Sequence, residues 1–486
     1  MRLEELLMAQ GVVQASDLER AAERRQARGG PLADSLLALR LITLEQLNAV
    51  LQMTPPALPA SVADAGIGRR ALLALLLKTL HSGGADNIPA LADLLKLPSS
   101  VVGSLVEEAI EQKLLKVTGS NGRSTMPVLT YSFTESGRDA VAEALGRTKY
   151  VGPSPVSLQS YIDQINRQRL RNERTKRDRI RKAFNKLVVT SEFINRIGPA
   201  VNAGRSILFY GPPGNGKSSI AQSIGRAFTD VIYIPYAVEV EGQIVKVFDS
   251  SIHEEIAPVG PVGTLDMEIR REEFDRRWVA CRRPVIVTGG EFTLEMLDLR
   301  YNAASNFYDA PLHLKALGGT FVIDDFGRQA MRPTDLLNRW IVPLEERVDY
   351  LRLQTGATFS VPFDELVIFS TNLPPDSLMD PAFLRRIPYK IELKPPSRER
   401  YREIFRLASA ERGLQFSDQV FAWLVDELEV RRRFALASYQ PRFIVDQIIE
   451  ACAFEESPPL ITESSVAAAL DNLYTTGPMN RAPAAA

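Results

Sequence analysis

Gly211-Pro-Pro-Gly-Asn-Gly-Lys-Ser218 is the stretch on which the reading of this chain turns. It fits G-x-x-x-x-G-K-[ST], in which glycines let backbone N–H groups close around phosphate oxygens at the positive end of a helix dipole. Its flanks suit that role. Residues 206–210 (Ser-Ile-Leu-Phe-Tyr) read as a short buried strand, and residues 218–228 carry apolar side chains at helical spacing. On this reading Gly211, Pro212, Pro213, Gly214, Asn215, Gly216, Lys217, Ser218 and Ser219 hold a nucleotide. Lys217 reaches its β- and γ-phosphates, and the Ser218 hydroxyl ligates Mg²⁺.

Composition narrows the rest. A chain of 486 residues is too long for one core, and 45% hydrophobic with 24% charged residues are ordinary globular values. A net charge of −1 gives no global pull toward nucleic acid or an anionic membrane. Two cysteines, Cys281 and Cys452, exclude a disulfide framework and fit a reducing cytoplasm, while three histidines argue against a multi-histidine metal centre. The longest apolar run, residues 71–77, is too short to span a bilayer.

Two further apolar runs end in chemistry. Thr320-Phe-Val-Ile-Asp-Asp325 delivers Asp324 to a strand end, where its carboxylate holds Mg²⁺, with Asp325 as general base toward the attacking water. Leu366-Val-Ile-Phe-Ser-Thr-Asn372 brings Asn372 up to orient the same water. Asp380-Pro-Ala-Phe-Leu-Arg-Arg-Ile387 and Gln440-Pro-Arg442 follow.

In this order the motifs resemble those of an AAA+ ATPase: Walker A, Walker B, sensor 1, arginine finger and sensor 2, over residues 186–476. The resemblance implies an α/β fold, a P-loop core with a parallel sheet (residues 186–395) and a helical lid (396–476). Asn372 is then sensor 1, Arg385 and Arg386 are candidates for a finger reaching a neighbouring subunit's γ-phosphate, and Arg442 is sensor 2. It implies ATP and Mg²⁺ as ligands and self-association into a ring, a hexamer being favoured. The chain departs from the family where Asp325 stands in place of the usual Glu.

Two small, mainly helical domains precede the core. Residues 1–56 repeat at an offset of 29: Leu3, Leu7, Met8, Val12, Val13 and Leu18 align with Leu32, Leu36, Leu37, Leu41, Ile42 and Leu47. The repeat resembles the N-terminal domain of type II secretion and type IV pilus ATPases, some of which bind cyclic di-GMP. Both copies lack that motif's glycine, so a docking module is favoured over ligand binding. Residues 62–150 read as helices over 69–81, 88–95 and 99–113, then strands over 114–118 and 128–133 joined through an Asn121-Gly122 turn. That order resembles a winged helix-turn-helix. Its third helix has a stripe of Val101, Val102, Leu105, Val106 and Ile110, and its solvent side carries Glu107, Glu108 and Glu111, which favours protein over DNA as its partner.

Residues 151–185 are dominated by arginine and lysine and read as a basic linker helix, with nucleic-acid contact possible but not favoured. Between the first core helix and Walker B lies a long insertion, 229–319, with a hairpin over 232–248 turning at Glu241-Gly242. It approaches Walker B in a manner that resembles bacterial enhancer-binding proteins, so Phe292, Tyr301, Phe307 or Tyr308 are candidates to grip a substrate chain. Residues 477–486 read as a disordered tail. The expectation is a cytoplasmic ATPase ring remodelling a protein or complex. The rivals are a DNA-directed loader or regulator, and a slow nucleotide switch.

Overall fold

Five short parallel strands make the sheet that positions the site: β1 (Ile207–Tyr210), β2 (Val285–Thr288), β3 (Thr320–Ile323), β4 (Leu366–Thr371) and β5 (Tyr389–Glu392). This is a computed structural model; it describes residues 7–8, 12–28, 32–43, 46, 55–121, 128–170, 175–228, 230–256 and 274–474. The strands lie in the order β5-β1-β4-β3-β2. Helices cover both faces, which is why β3 and β4 are buried at every position and apolar at all but Thr320, Ser370 and Thr371. Alternate residues supply the two cores. Ile207, Phe209, Val322 and Ile368 pack beneath helices Ser191–Ala203 and Lys217–Gly225, while Leu208, Phe321, Ile323 and Phe369 pack around Trp340 and Leu336. Register sets Tyr210 beside Thr371 and Phe369 beside Ile323, so the carboxyl ends of β1, β4 and β3 emerge side by side.

The insertion builds a second β layer. Val156–Ser157, Ala237–Val240, Gln243–Lys246, Phe307–Asp309 and Arg300–Asn302 form one mixed sheet, with Val231–Pro235 paired to Trp278–Arg282 beside it. The turn at Glu241 (φ 51°) and Gly242 (φ 76°) has both residues left-handed, as a two-residue hairpin demands. Phe292 and Tyr308 are almost wholly buried, Phe292 against Phe321, and Phe307 packs edge-on against Tyr150. These aromatic side chains are structural. The expectation that Phe292, Tyr301, Phe307 or Tyr308 grips a substrate is withdrawn for the buried pair, and Tyr301 and Phe307 are committed to packing as well.

Residues 151–185 do not form one linker helix. Leu158–Arg167 buries Tyr161, Gln164 and Ile165 against the second β layer, whereas Arg177–Ala183 buries Ile180 on the nucleotide-side core. The few apolar residues inside the basic run, not its charges, decide where each half packs.

Ahead of this, helices Arg69–His81, Ile88–Leu95 and Ser99–Glu111 and the strand Val128–Phe133 fall where the sequence places them. The first strand of the antiparallel pair, Leu115–Asn121, runs on past residue 118: Asn121 pairs with Val128 in the ladder and is a strand residue, not a turn residue. Gly122 lies outside the described residues. Ile110 is exposed and Ala109 takes its place in the buried stripe. This module is fastened to the insertion. Arg277, itself buried, pairs with Asp275 at 2.8 Å and donates to the carbonyls of Ala65 and Pro155, and Lys149 N–H donates to Ser305 O.

In the first module Leu7, Val13, Leu36 and Ile42 share one core. The repeat extends to the backbone: Val12 N–H donates to Leu7 O, and Leu41 N–H, 29 positions on, donates to Leu36 O. At the other end, helices Arg398–Glu411, Asp418–Asp426, Gln440–Phe454 and Glu463–Leu473 enclose Tyr401, Phe405, Leu424, Ile444 and Leu470. Ser397, Ser417 and Thr462 cap three of them. The tail, 477–486, lies outside the described residues. Among the described residues no single helix is long and apolar enough to cross a membrane.

Candidate nucleotide site

The glycine stretch leaves the carboxyl end of β1 and enters helix Lys217–Gly225 through Gly216, whose φ of 81° sets the left-handed N-cap. A Cβ added at Gly216 would meet nothing within 4 Å, so the cradle is open there. Pro212, Pro213 and Ser219 are exposed, Gly211, Gly214 and Ser218 are half-buried, and Asn215 and Lys217 are buried. The Lys217 ammonium donates to Gly211 O and Pro212 O, each at 2.9 Å. Burial lowers its pKa, opposed by the nearby carboxylates of Asp324 and Asp325. The loop lysine and both acids therefore share one electrostatic neighbourhood.

Asp324 and Asp325 follow β3, and Asn372 follows β4. Asn372 Nδ2 donates to Asp325 Oδ1 at 2.9 Å, which fixes the carboxylate and leaves its second oxygen available to water. Asp325 sits at φ 48°, a conformation Asp tolerates better than most residues. The turn beyond it is tied down. Gln329 Nε2 donates to Asp324 O at 2.9 Å, Gly327 N–H donates to Gln329 Oε1, Phe326 N–H donates to Ser370 O, and Thr371 Oγ1 donates to Phe326 O. Gln329 and Thr371 are positioning residues that sequence reasoning missed; Thr371 stood beside Asn372 as a hydroxyl at a strand end, and Gln329 gave no signal.

The lid meets the loop directly. Tyr439 N–H donates to Gly214 O at 3.0 Å, and Ser438 N–H approaches Asn215 Oδ1 at 3.4 Å. Arg442 lies in the first turn of helix Gln440–Phe454, exposed, with its guanidinium 3.9 Å from Asp446. The structure brings the start of this helix to the loop.

Arg385 and Arg386 lie elsewhere. They precede β5, and Arg386 O accepts from Ser206 Oγ at the amino end of β1. Four strand residues at about 3.3 Å each separate that edge from the phosphate loop, roughly 13 Å. Arg386 is tied to Glu345 at 2.7 Å and to Ala382 O. Arg385 is exposed and has no ion-pair partner among the described residues. Both line a groove of about 580 Å³ with Arg205, Leu344, Glu345 and Tyr389.

Comparison with known proteins adds little to this geometry. A family model described as "Domain of unknown function (DUF8689)" matches residues 397–472, the helical lid. No curated protein matches the chain. Among solved structures, a Thermotoga maritima RuvB P216G mutant aligns at 11% identity and TM-score 0.31, over 63% of this chain and 73% of that one. The T. maritima RuvB Holliday junction branch migration motor aligns at 13% and 0.32, over 65% and 72%. Domain III of the T. maritima replication initiation protein DnaA aligns at 12% and 0.32, over 60% and 95%. Similarity at this level carries no conclusion about activity.

The residues fit a nucleotide with its metal. Ser218 opens the helix after the cradle and Asp324 follows β3, which β4 separates from β1, with its charge felt at Lys217, so these two would hold Mg²⁺.

Proposed function

We propose that the chain is an AAA+ ATPase that hydrolyses ATP to ADP and phosphate, working as a homo-oligomeric ring that remodels a protein or complex. The observation that carries the reading is the Asn372–Asp325 hydrogen bond, formed beside a phosphate loop whose lysine feels both acids. Backbone N–H groups of residues 211–218 and the Lys217 ammonium hold and neutralise the phosphates. Bound Mg²⁺ would draw charge from the phosphate oxygens. Asp325 accepts a proton from the water that Asn372 helps orient; the water oxygen bonds to the γ-phosphorus and the bond to the bridging oxygen breaks, releasing ADP. Neither arginine before β5 can serve its own site across the sheet, so a finger from this region acts on the neighbouring copy. Arg385, free of Glu345, is the better placed of the two.

The N-terminal modules fit a recruiting role. The helical one is fastened to the insertion by Arg277 and presents an acidic third helix, and the repeat of residues 1–56 supplies a separate docking surface. The test is Asp325→Asn. Turnover should fall at least about 100-fold with ADP affinity changed less than about threefold. Unchanged turnover would remove Asp325 from the reaction.

A further inference from the structure

The segment 175–186 carries six cations, Arg179 among them, against a single carboxylate, Asp178. Lys176, Arg177, Arg181, Lys182 and Lys186 are exposed and form no ion pair among the described residues. In the lid, by contrast, Arg398 meets Glu429, Arg402 meets Asp418, Arg412 meets Asp446 and Arg432 meets Asp471. Arg177 and Arg181 stand one helical turn apart, a spacing at which like charges destabilise a helix. The helix is held from beneath instead. Ile180 is buried and reaches the face of helix Ser191–Ala203 at Gly198, and Phe184 is buried edge-on against Phe193. The anchors hold the backbone down and turn the charges outward.

We propose that this basic face binds the phosphate backbone of duplex nucleic acid without regard to sequence. The chemistry selects that partner over others. The only large apolar residues of the helix, Ile180 and its neighbour Phe184, are buried, so nothing on this face could insert into a bilayer. It shows no exposed aromatic ring on which an unpaired base could stack, which sets single strands aside. Cations repeating along one face suit a partner whose charges also repeat, and a chain of net charge −1 has no global excess to explain them. The helix packs onto the same core as helix Lys217–Gly225, which begins with the loop lysine, so a duplex held on its outer face is one helix away from the element that binds nucleotide. The acidic third helix of the N-terminal module is then no obstacle, because the contact is made elsewhere.

The test is binding of a fluorescent 20-base-pair DNA duplex to the full chain between 50 and 200 mM salt. Four to five phosphate contacts give a slope of log affinity against log salt near −4, a loss of about 250-fold over that range. Arg177→Gln/Arg181→Gln should reduce the slope by about two and leave ATP turnover without DNA unchanged. Three outcomes overturn the proposal: no duplex binding at 50 mM salt, the same slope in the double variant, or equal retention on phosphatidylserine vesicles lost in that variant. A duplex RNA arm shows whether the 2′-hydroxyl matters; equal binding agrees with backbone recognition, and RNA-only binding contradicts it.

Discussion

Gly214→Ala probes the junction between loop and lid with a single methyl group. Gly214 has φ 76°, and its Cβ would stand 2.3 Å from Cδ1 of Tyr439 and 2.7 Å from Cε1. Two costs follow. Holding alanine in a left-handed conformation costs about 1–2 kcal/mol. The ring must also swing away, straining the Tyr439 N–H to Gly214 O hydrogen bond, worth about 1 kcal/mol. The sum, about 2–3 kcal/mol, corresponds to ADP binding weakened roughly 30- to 150-fold. In a Tyr439→Ala background the clash is gone and only the backbone cost remains, so the same substitution should weaken binding about 5- to 30-fold. Titration of a fluorescent ADP analogue against the four proteins gives the coupling directly, and about 1 kcal/mol is expected. Equal penalties in both backgrounds would show that Tyr439 does not rest on the loop, and the described contact between lid and site would be wrong.

Two further substitutions use buried charge. Lys78 is buried with its ammonium on Thr148 O, and burial lowers it from 10.5 to about 8. The unfolded chain keeps this proton up to about pH 10.5, so the cost to the folded state is full below about 8 and fades between the two. Lys78→Met should therefore stabilise the helical module at pH 7 by about 2 kcal/mol, the burial cost less one hydrogen bond, and destabilise it by about 1 kcal/mol above pH 10.5, where only the lost hydrogen bond remains; urea midpoints at the two pH values check this. Glu365 is wholly buried with neither carboxylate oxygen partnered among the described residues, and burial raises its pKa well above the usual range. A raised carboxyl contributes its stability below its ordinary pKa and loses it as pH climbs through the raised one. Glu365→Gln should raise the melting temperature at pH 8 and flatten its dependence on pH; a lower melting temperature would mean the carboxylate is needed charged.

The site was the most legible part of the chain because its parts are local. A glycine loop between an apolar strand and a helix, and polar residues closing apolar runs, write Lys217, Asp324, Asp325 and Asn372 into short stretches. Contacts between distant segments left no such mark. Nothing in the vicinity of Tyr439 announces that it lies on Gly214, because that contact spans 225 positions. Arg277 reads as one more charge in Asp275-Arg-Arg277, yet it is buried and joins residues 65, 155 and 275. The basic run misled for a related reason: charge density suggested one solvated helix, while isolated Tyr161, Ile165, Ile180 and Phe184 sent its two halves to different cores. Aromatic residues of the insertion had the opposite fault, since exposure and burial look alike in sequence when a β layer is built from separated strands.

The central claim, an active site completed by a second copy, is tested most directly by ATP turnover in mixtures of wild type and Arg385→Ala at fixed total protein. The account predicts turnover per chain that rises with protein concentration and falls faster than the wild-type fraction as the variant is added, because each variant subunit disables its neighbour. Turnover independent of concentration and strictly proportional to the wild-type fraction would contradict it, and would make the chain a self-sufficient nucleotide switch.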